Sequence, residues 1–172
     1  RNPRTTGGSG VPPVLTMFNC VIYNWSEYPT HTGSERVHLN WLNNCYKPGP
    51  DTPAAVRSMG FEFHGDPQAR VFARGNLIHG SPAATSNNAL AVGYYANKFK
   101  QVSGADKAAM IVNQPFGELP PGLQTAEAAF ESVLADAGAT LPARDAVDCR
   151  IVNSVRTGTG KVIGKEIDLP AD

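Results

Sequence analysis

The chain has 172 residues, 41% hydrophobic and 17% charged, with a formal net charge of zero. That balance fits one globular domain and excludes a disordered chain, and no apolar stretch approaches the length of a membrane span. Charge is unevenly spread: residues 1–100 carry nine Lys/Arg against five Asp/Glu, and residues 101–172 carry six against ten. A basic first part suits an anionic partner, though ordinary surface variation is the simpler account of so weak an asymmetry. The three cysteines, Cys20, Cys45 and Cys149, show no CxxC spacing, which argues against a zinc cluster or a redox dithiol.

From residue 11 to residue 80 the pattern is short apolar runs separated by turn residues. The runs are 14–25, 36–46, 56–63 and 69–78, rich in Val, Ile, Phe, Tyr and Trp and bounded by Gly, Pro, Asn or Asp. They read as strands, and no helical pattern separates them, which disfavours a βαβ arrangement. An internal echo runs through them. Phe18-Asn19-Cys20 resembles Leu42-Asn43-Asn44, and both resemble Arg74-Gly75-Asn76. Periods of this size mark a solenoid. The second period is longer than the first, which places an extra loop near residues 47–53. On this alignment Asn44 and Asn76 occupy equivalent corners. Either they bond to one another up and down a stack or they simply mark turns.

Residues 81–88 read as a loop, and 113–122 are punctuated by Pro and Gly. The tail changes character. Ala126, Ala129, Phe130, Val133, Leu134 and Ala137 follow helical spacing, with Thr125 as N-cap and Gly138 as stop. A second short helix is expected over 143–155. The chain divides into stacked strands over 1–112 and a two-helix extension over 113–172 that packs on them.

These segments resemble a known family. Asn19-Cys20-Val21-Ile22-Tyr23-Asn24-Trp25 is similar to the N-N-V-I-Y-N-W stretch of bacterial pectate lyases of polysaccharide lyase family 1. VHLNWLNNCYKPGPDT, from Val37 to Thr52, is similar to the stretch that follows it. Gly75-Asn76 with Gly80-Ser81-Pro82 resembles a later coil, and Ala137 to Val152 with Arg156 to Gly160 resembles the C-terminal signature of the same branch. The matches spread over nearly the whole chain.

The resemblance implies an all-β fold, the C-terminal coils of a right-handed parallel β-helix, with a two-helix tail. It implies a secreted, monomeric enzyme that cleaves the acidic polysaccharide polygalacturonate by β-elimination with calcium, and binds neither nucleic acid nor membrane. Arg1-Asn2-Pro3-Arg4 matches the family's R-x-P-R motif, so Arg1 is the expected catalytic base and Arg4 an expected contact for a substrate carboxylate. Lys47, in the K-P-G-P turn, is an expected substrate contact. The family's aspartate calcium ligands precede this motif, so no metal ligand is expected in these residues, and the chain reads as a fragment that is inactive alone. Cys20 and Cys45 depart from the family pattern, where Asn and an aromatic are usual. A non-catalytic polysaccharide-binding protein and a calcium-independent pectin lyase are the competing expectations.

The remaining motifs point elsewhere or nowhere. Arginine is ordinarily always protonated, so Arg1 acts as a base only with a strongly depressed pKa or through a held hydroxide. His31, His38, His64 and His79 show no metal-ligand spacing and read as structural or surface residues. Trp25, Trp41 and Tyr46 fit either a sugar-stacking or, more simply, a core role. The glycines around Gly158–Lys161 lack the spacing of a phosphate loop. Asn24-Trp25-Ser26 is a glycosylation sequon.

Overall fold

In the computed structural model, residues 3–5, 10–32, 36–64, 68–95 and 108–162 are described. Eleven strands among them form three sheets, and every pairing within a sheet is parallel; sheet 1 runs β1 (Arg4–Thr5), β4 (Thr30–Thr32), β7 (Phe61–His64), β10 (Val92–Tyr95). Sheet 2 runs β2 (Val14–Phe18), β5 (His38–Leu42), β8 (Arg70–Arg74), β11 (Ile111–Val112). Sheet 3 runs β3 (Val21–Tyr23), β6 (Cys45–Lys47), β9 (Leu77–Ile78). The chain visits sheet 2, then sheet 3, then sheet 1, and repeats the circuit, each strand pairing with its counterpart one circuit away.

The registers carry the repeat. Val21 pairs with Cys45 and Cys45 with Leu77, so the Cys20, Asn44 and Asn76 alignment read from the sequence is the structural one. The longer second circuit takes its extra residues between β6 and β7, where 48–60 replace the shorter connection of 24–29 and include a 3₁₀ turn at Ala54–Val56.

Alternation decides the faces, because successive side chains on a strand point opposite ways. Leu39, Trp41 and Val71 point inward from sheet 2, Ile22, Tyr46 and Ile78 from sheet 3, and Phe61 and Phe63 from sheet 1, forming one core. Each circuit places a side chain above its equivalent in the last, so the core is a set of columns. Tyr46 anchors the centre: its hydroxyl meets Thr30 Oγ1 at 2.5 Å and accepts from Trp41 Nε1 at 2.9 Å. Trp25, Trp41 and Tyr46 are therefore core residues.

The corner between sheets 2 and 3 is sharp and needs one left-handed residue. Asn19 (φ 51°), Asn43 (φ 50°) and Gly75 (φ 70°) supply it in successive circuits. Asn and Gly tolerate that conformation better than other residues. The next position holds the amide ladder described below.

The chain is not strictly all-β. Where residues 81–88 read as a loop, α1 (Pro82–Ser86) forms, followed by a 3₁₀ turn at Asn88–Ala91. Pro82 suits the first helical position, but the segment is too short to show a helical period. Two further helices match the expected tail: α2 (Ala126–Asp136), with the Thr125 hydroxyl accepting from Ala128 N, and α3 (Ala146–Thr157), capped by Asp145 and ended by Gly158 at φ 74°. The second begins three residues later than expected because Asp145, not an earlier residue, caps it. The glycines at Gly158 and Gly160 thus terminate a helix. Strands β4, β10 and β11 were not legible, being only two to four residues long with no clear alternation. Among the described residues no helix is long and apolar enough to cross a membrane.

Candidate functional site

Sheet 1 brings chemistry-bearing residues into one outward row. Thr30 and Phe61 point inward, as do Thr32 and Phe63, so the residues between them face out. Arg4 is in register with His31, His31 with Glu62, and Glu62 with Gly93. His64 follows two residues after Glu62 on the same face. Four residues distant in sequence are neighbours because each lies one circuit from the next.

His31, Glu62, His64 and Tyr28 form one cluster. The His31 and His64 ring centroids lie 4.8 Å apart, and Tyr28 meets His64 edge-on at 4.9 Å and His31 at 5.8 Å. His64 Nε2 is 3.1 Å from Glu62 Oε2. His31 Nδ1 is 2.7 Å from the Thr32 carbonyl, and a carbonyl only accepts, so Nδ1 carries the proton. Glu62 is 6% exposed and His31 4%, whereas His64 and Tyr28 are half-buried. A molecule approaching this face meets His64 and Tyr28 first, and Glu62 works through His64 by fixing its ring. Gly93 leaves room beside Glu62 for Met59, whose Cε lies 2.7 Å from where a Cβ would stand. The row therefore offers an aromatic edge, an imidazole held by a carboxylate, and at its head the Arg4 position. The Tyr28 and His64 edges suit a ring-bearing ligand.

The expected site residues separate. Arg4 heads the row by backbone register. Arg1 lies outside the described residues. Lys47 is far from a groove role in its contacts: its ammonium donates to the Val155 and Arg156 carbonyls at 2.7 and 2.8 Å and stands 5.6 Å over the Phe130 ring. It closes the C-terminal end of α3 onto sheet 3, where a cation complements the helix dipole.

The four histidines divide in two pairs. His38 stacks on Phe116 at 4.4 Å, and His79 packs against Phe130 at 5.8 Å, both structural. His31 and His64 belong to the row, which residue spacing of the metal-ligand kind does not reveal. The signal that finds them is the period itself, since His31 and Glu62 stand one circuit apart. Asn24, the sequon residue, is buried; its amide donates to Asp51 Oδ2 at 3.0 Å and its carbonyl oxygen accepts from Asp51 N at 2.8 Å. Val162 N also donates to that carboxylate, at 2.6 Å, and this bond, then that from the Asn24 amide, holds the Asp51 carboxyl below its ordinary range.

The cysteines are unpaired thiols, and burial pushes Cys45 up to about 12. An inert thiol at that position packs rather than reacts. Among the described residues, no group of three or more His, Cys, Asp or Glu is placed to hold a metal ion.

No protein-family model matches this chain, and no curated protein matches it.

Proposed function

We propose that this chain is the C-terminal part of a secreted, calcium-dependent pectate lyase of polysaccharide lyase family 1, its three sheets being the faces of a right-handed parallel β-helix. The observation that carries this reading is the register of Arg4 with His31, on the outward row that also holds Glu62. The family motif matched by residues 1–4 thereby leads into a strand whose face presents imidazole, carboxylate and tyrosine side chains. The resemblances at 19–25, 37–52 and 137–160 support the same assignment.

The reaction removes the C5 proton of a uronate, and negative charge gathers on the adjacent carboxylate; the C4–C5 double bond then forms as the glycosidic C4–O bond breaks, and the leaving oxygen takes a proton from water. A cation placed against that carboxylate stabilises the transition state more than the ground state. Arg4 takes this role, since a guanidinium pairs with a carboxylate through two parallel bonds. Arg1 takes the proton, provided neighbouring cations and burial lower its pKa. Tyr28 and His64 offer the sugar ring an edge to rest on. The described residues do not furnish a calcium site, so no step is assigned here to the metal, and its ligands are proposed to lie on polypeptide preceding these residues in the parent protein.

The test is made on the full-length parent with polygalacturonate, following ultraviolet absorbance of the unsaturated product with calcium and then with a chelator. Calcium-dependent product that falls about a hundredfold or more in Arg1→Ala, the scale of a lost general base, supports the reading. A folded parent that binds polygalacturonate and releases no unsaturated product would make the chain a non-catalytic binder. Product that persists in chelator would make it a calcium-independent pectin lyase.

A further inference from the structure

We propose that a groove at the far edge of sheet 2 is a second binding site, for the carboxylate of an acidic sugar. It lies where the corner after β8 meets the 3₁₀ turn at Asn88–Ala91 and strand β11, with a volume of about 330 Å³. Phe72, Arg74, Asn87, Ile111, Val112 and Asn113 line it. The outward row of sheet 1 contributes none of its residues, so this assignment stands apart from the lyase reading.

The groove has the parts such a ligand requires. Arg74 is its one charged side chain, and no Asp or Glu lines it. Arg74 is exposed and lies over the Phe72 ring, 5.5 Å from its centroid. Among the described residues its guanidinium meets no carboxylate. Its place over the ring restrains the guanidinium, so less freedom is lost when it grips a planar anion. Arg74 outranks Arg70 on the same strand face, because the Arg70 Nη1 already donates to the Ala69 carbonyl at 2.9 Å.

Two carboxamides flank the cation. The Asn87 oxygen accepts from Ala89 N at 3.2 Å, so its NH₂ group is the part of this groove-lining amide left to donate. Asn113 has no side-chain partner among the described residues and offers a donor and an acceptor. Ile111 and Val112 are half-buried beside them and give an apolar floor. One carboxylate receptor, two carboxamides for hydroxyls and an apolar wall for ring C–H bonds match a uronate better than a neutral sugar or an inorganic anion.

The test uses the full-length parent held in chelator, isotope-labelled for amide NMR and titrated with trigalacturonate and separately with neutral maltotriose. The proposal expects trigalacturonate to shift the amides of Gly75, Asn87 and Asn113, and maltotriose to leave them in place. Arg74→Ala should weaken the response about tenfold or more, the scale of a lost charged hydrogen bond. Arg74→Lys, which keeps the charge without the fork, should recover only part of it. Arg74 is exposed, so both variants keep the fold, which the unchanged remainder of the spectrum verifies. Equal response to maltotriose, an unaltered response in Arg74→Ala, or no shift in the groove overturns the proposal. Shifts confined to His31, Glu62 and His64 also overturn it and leave the lyase reading standing.

Discussion

The side-chain oxygen of Asn76 accepts two bonds from Asn44, one from its backbone N–H and one from its amide, each at 2.9 Å. The pattern repeats along the stack. Cys20 N donates to Asn44 Oδ1 at 3.0 Å, and Asn76 N donates to Asn88 Oδ1 at 2.8 Å. Each amide also donates back one circuit, Asn44 to the Met17 carbonyl and Asn76 to the Trp41 carbonyl. Both asparagines are fully buried, so every partner is lost to the interior, not to water, when a rung is removed. Asn76→Ala leaves the Asn44 backbone N–H and one Asn44 amide N–H unsatisfied, at about 1–3 kcal/mol for each orphaned group not rescued by water. The expected loss is about 3 kcal/mol or more, read from urea denaturation. A loss under about 1 kcal/mol would make these residues turn markers only.

Gly75 and Gly80 both have left-handed backbones, at φ 70° and 81°, but different surroundings. A Cβ at Gly75 would overlap Asn43 Oδ1, whereas at Gly80 nothing lies within 4 Å. Gly80→Ala should cost about 1 kcal/mol, the conformational penalty alone. Gly75→Ala adds displacement of Asn43, whose amide donates to the Gln124 carbonyl at 2.7 Å. Its cost should exceed that of Gly80→Ala by about 1 kcal/mol or more. Equal costs measured by thermal denaturation would show that the corner shifts freely.

Lys47→Met keeps the length of the side chain and removes the ammonium, with its two bonds to α3 and its place over the Phe130 ring. A charged donor contributes about 1.5–3 kcal/mol per bond at most, less where water reaches it. The expected destabilisation is about 1–2 kcal/mol, with early loss of helicity in α3 seen by hydrogen exchange. A residue that served only to touch substrate would leave stability unchanged, so the same variant decides between the two roles.

Stability should fall with acidification below the ordinary imidazole range. Burial, and then the nearby cation, lowers His38 beside Arg70 and His79 beside Lys47, while Glu127 opposes the shift at His79. A lowered folded-state pKa means the unfolded chain takes the proton first. The contribution is intact above pH about 6.5 and is lost as the pH falls from there toward the lowered values. Asp51 acts lower still, its depressed carboxyl contributing above the ordinary aspartate range and losing that contribution as the pH drops through it. Urea midpoints at several pH values should decline below pH about 6.5, and His38→Gln with His79→Gln should flatten that decline. An unchanged slope in the double variant would assign it to other groups.

The sequence by itself determined what repeats and what is local. The echo at Cys20, Asn44 and Asn76 became strand register because backbone bonding between circuits admits one alignment once the apolar face is fixed. The helices α2 and α3 were legible because each carries its own cap and period. Only the tertiary structure decided which distant residues meet. Arg4, His31 and Glu62 share no local pattern, and their row exists because circuits of unequal length still bring sheet 1 into register. The turn that carries Lys47 says nothing of α3, and only packing brings its ammonium to the Val155 and Arg156 carbonyls. Asn88, read as loop, completes the ladder from a 3₁₀ turn that no sequence period marks. Local chemistry sets corners, caps and faces, whereas contacts between circuits depend on the summed length of every connection, which no single segment encodes.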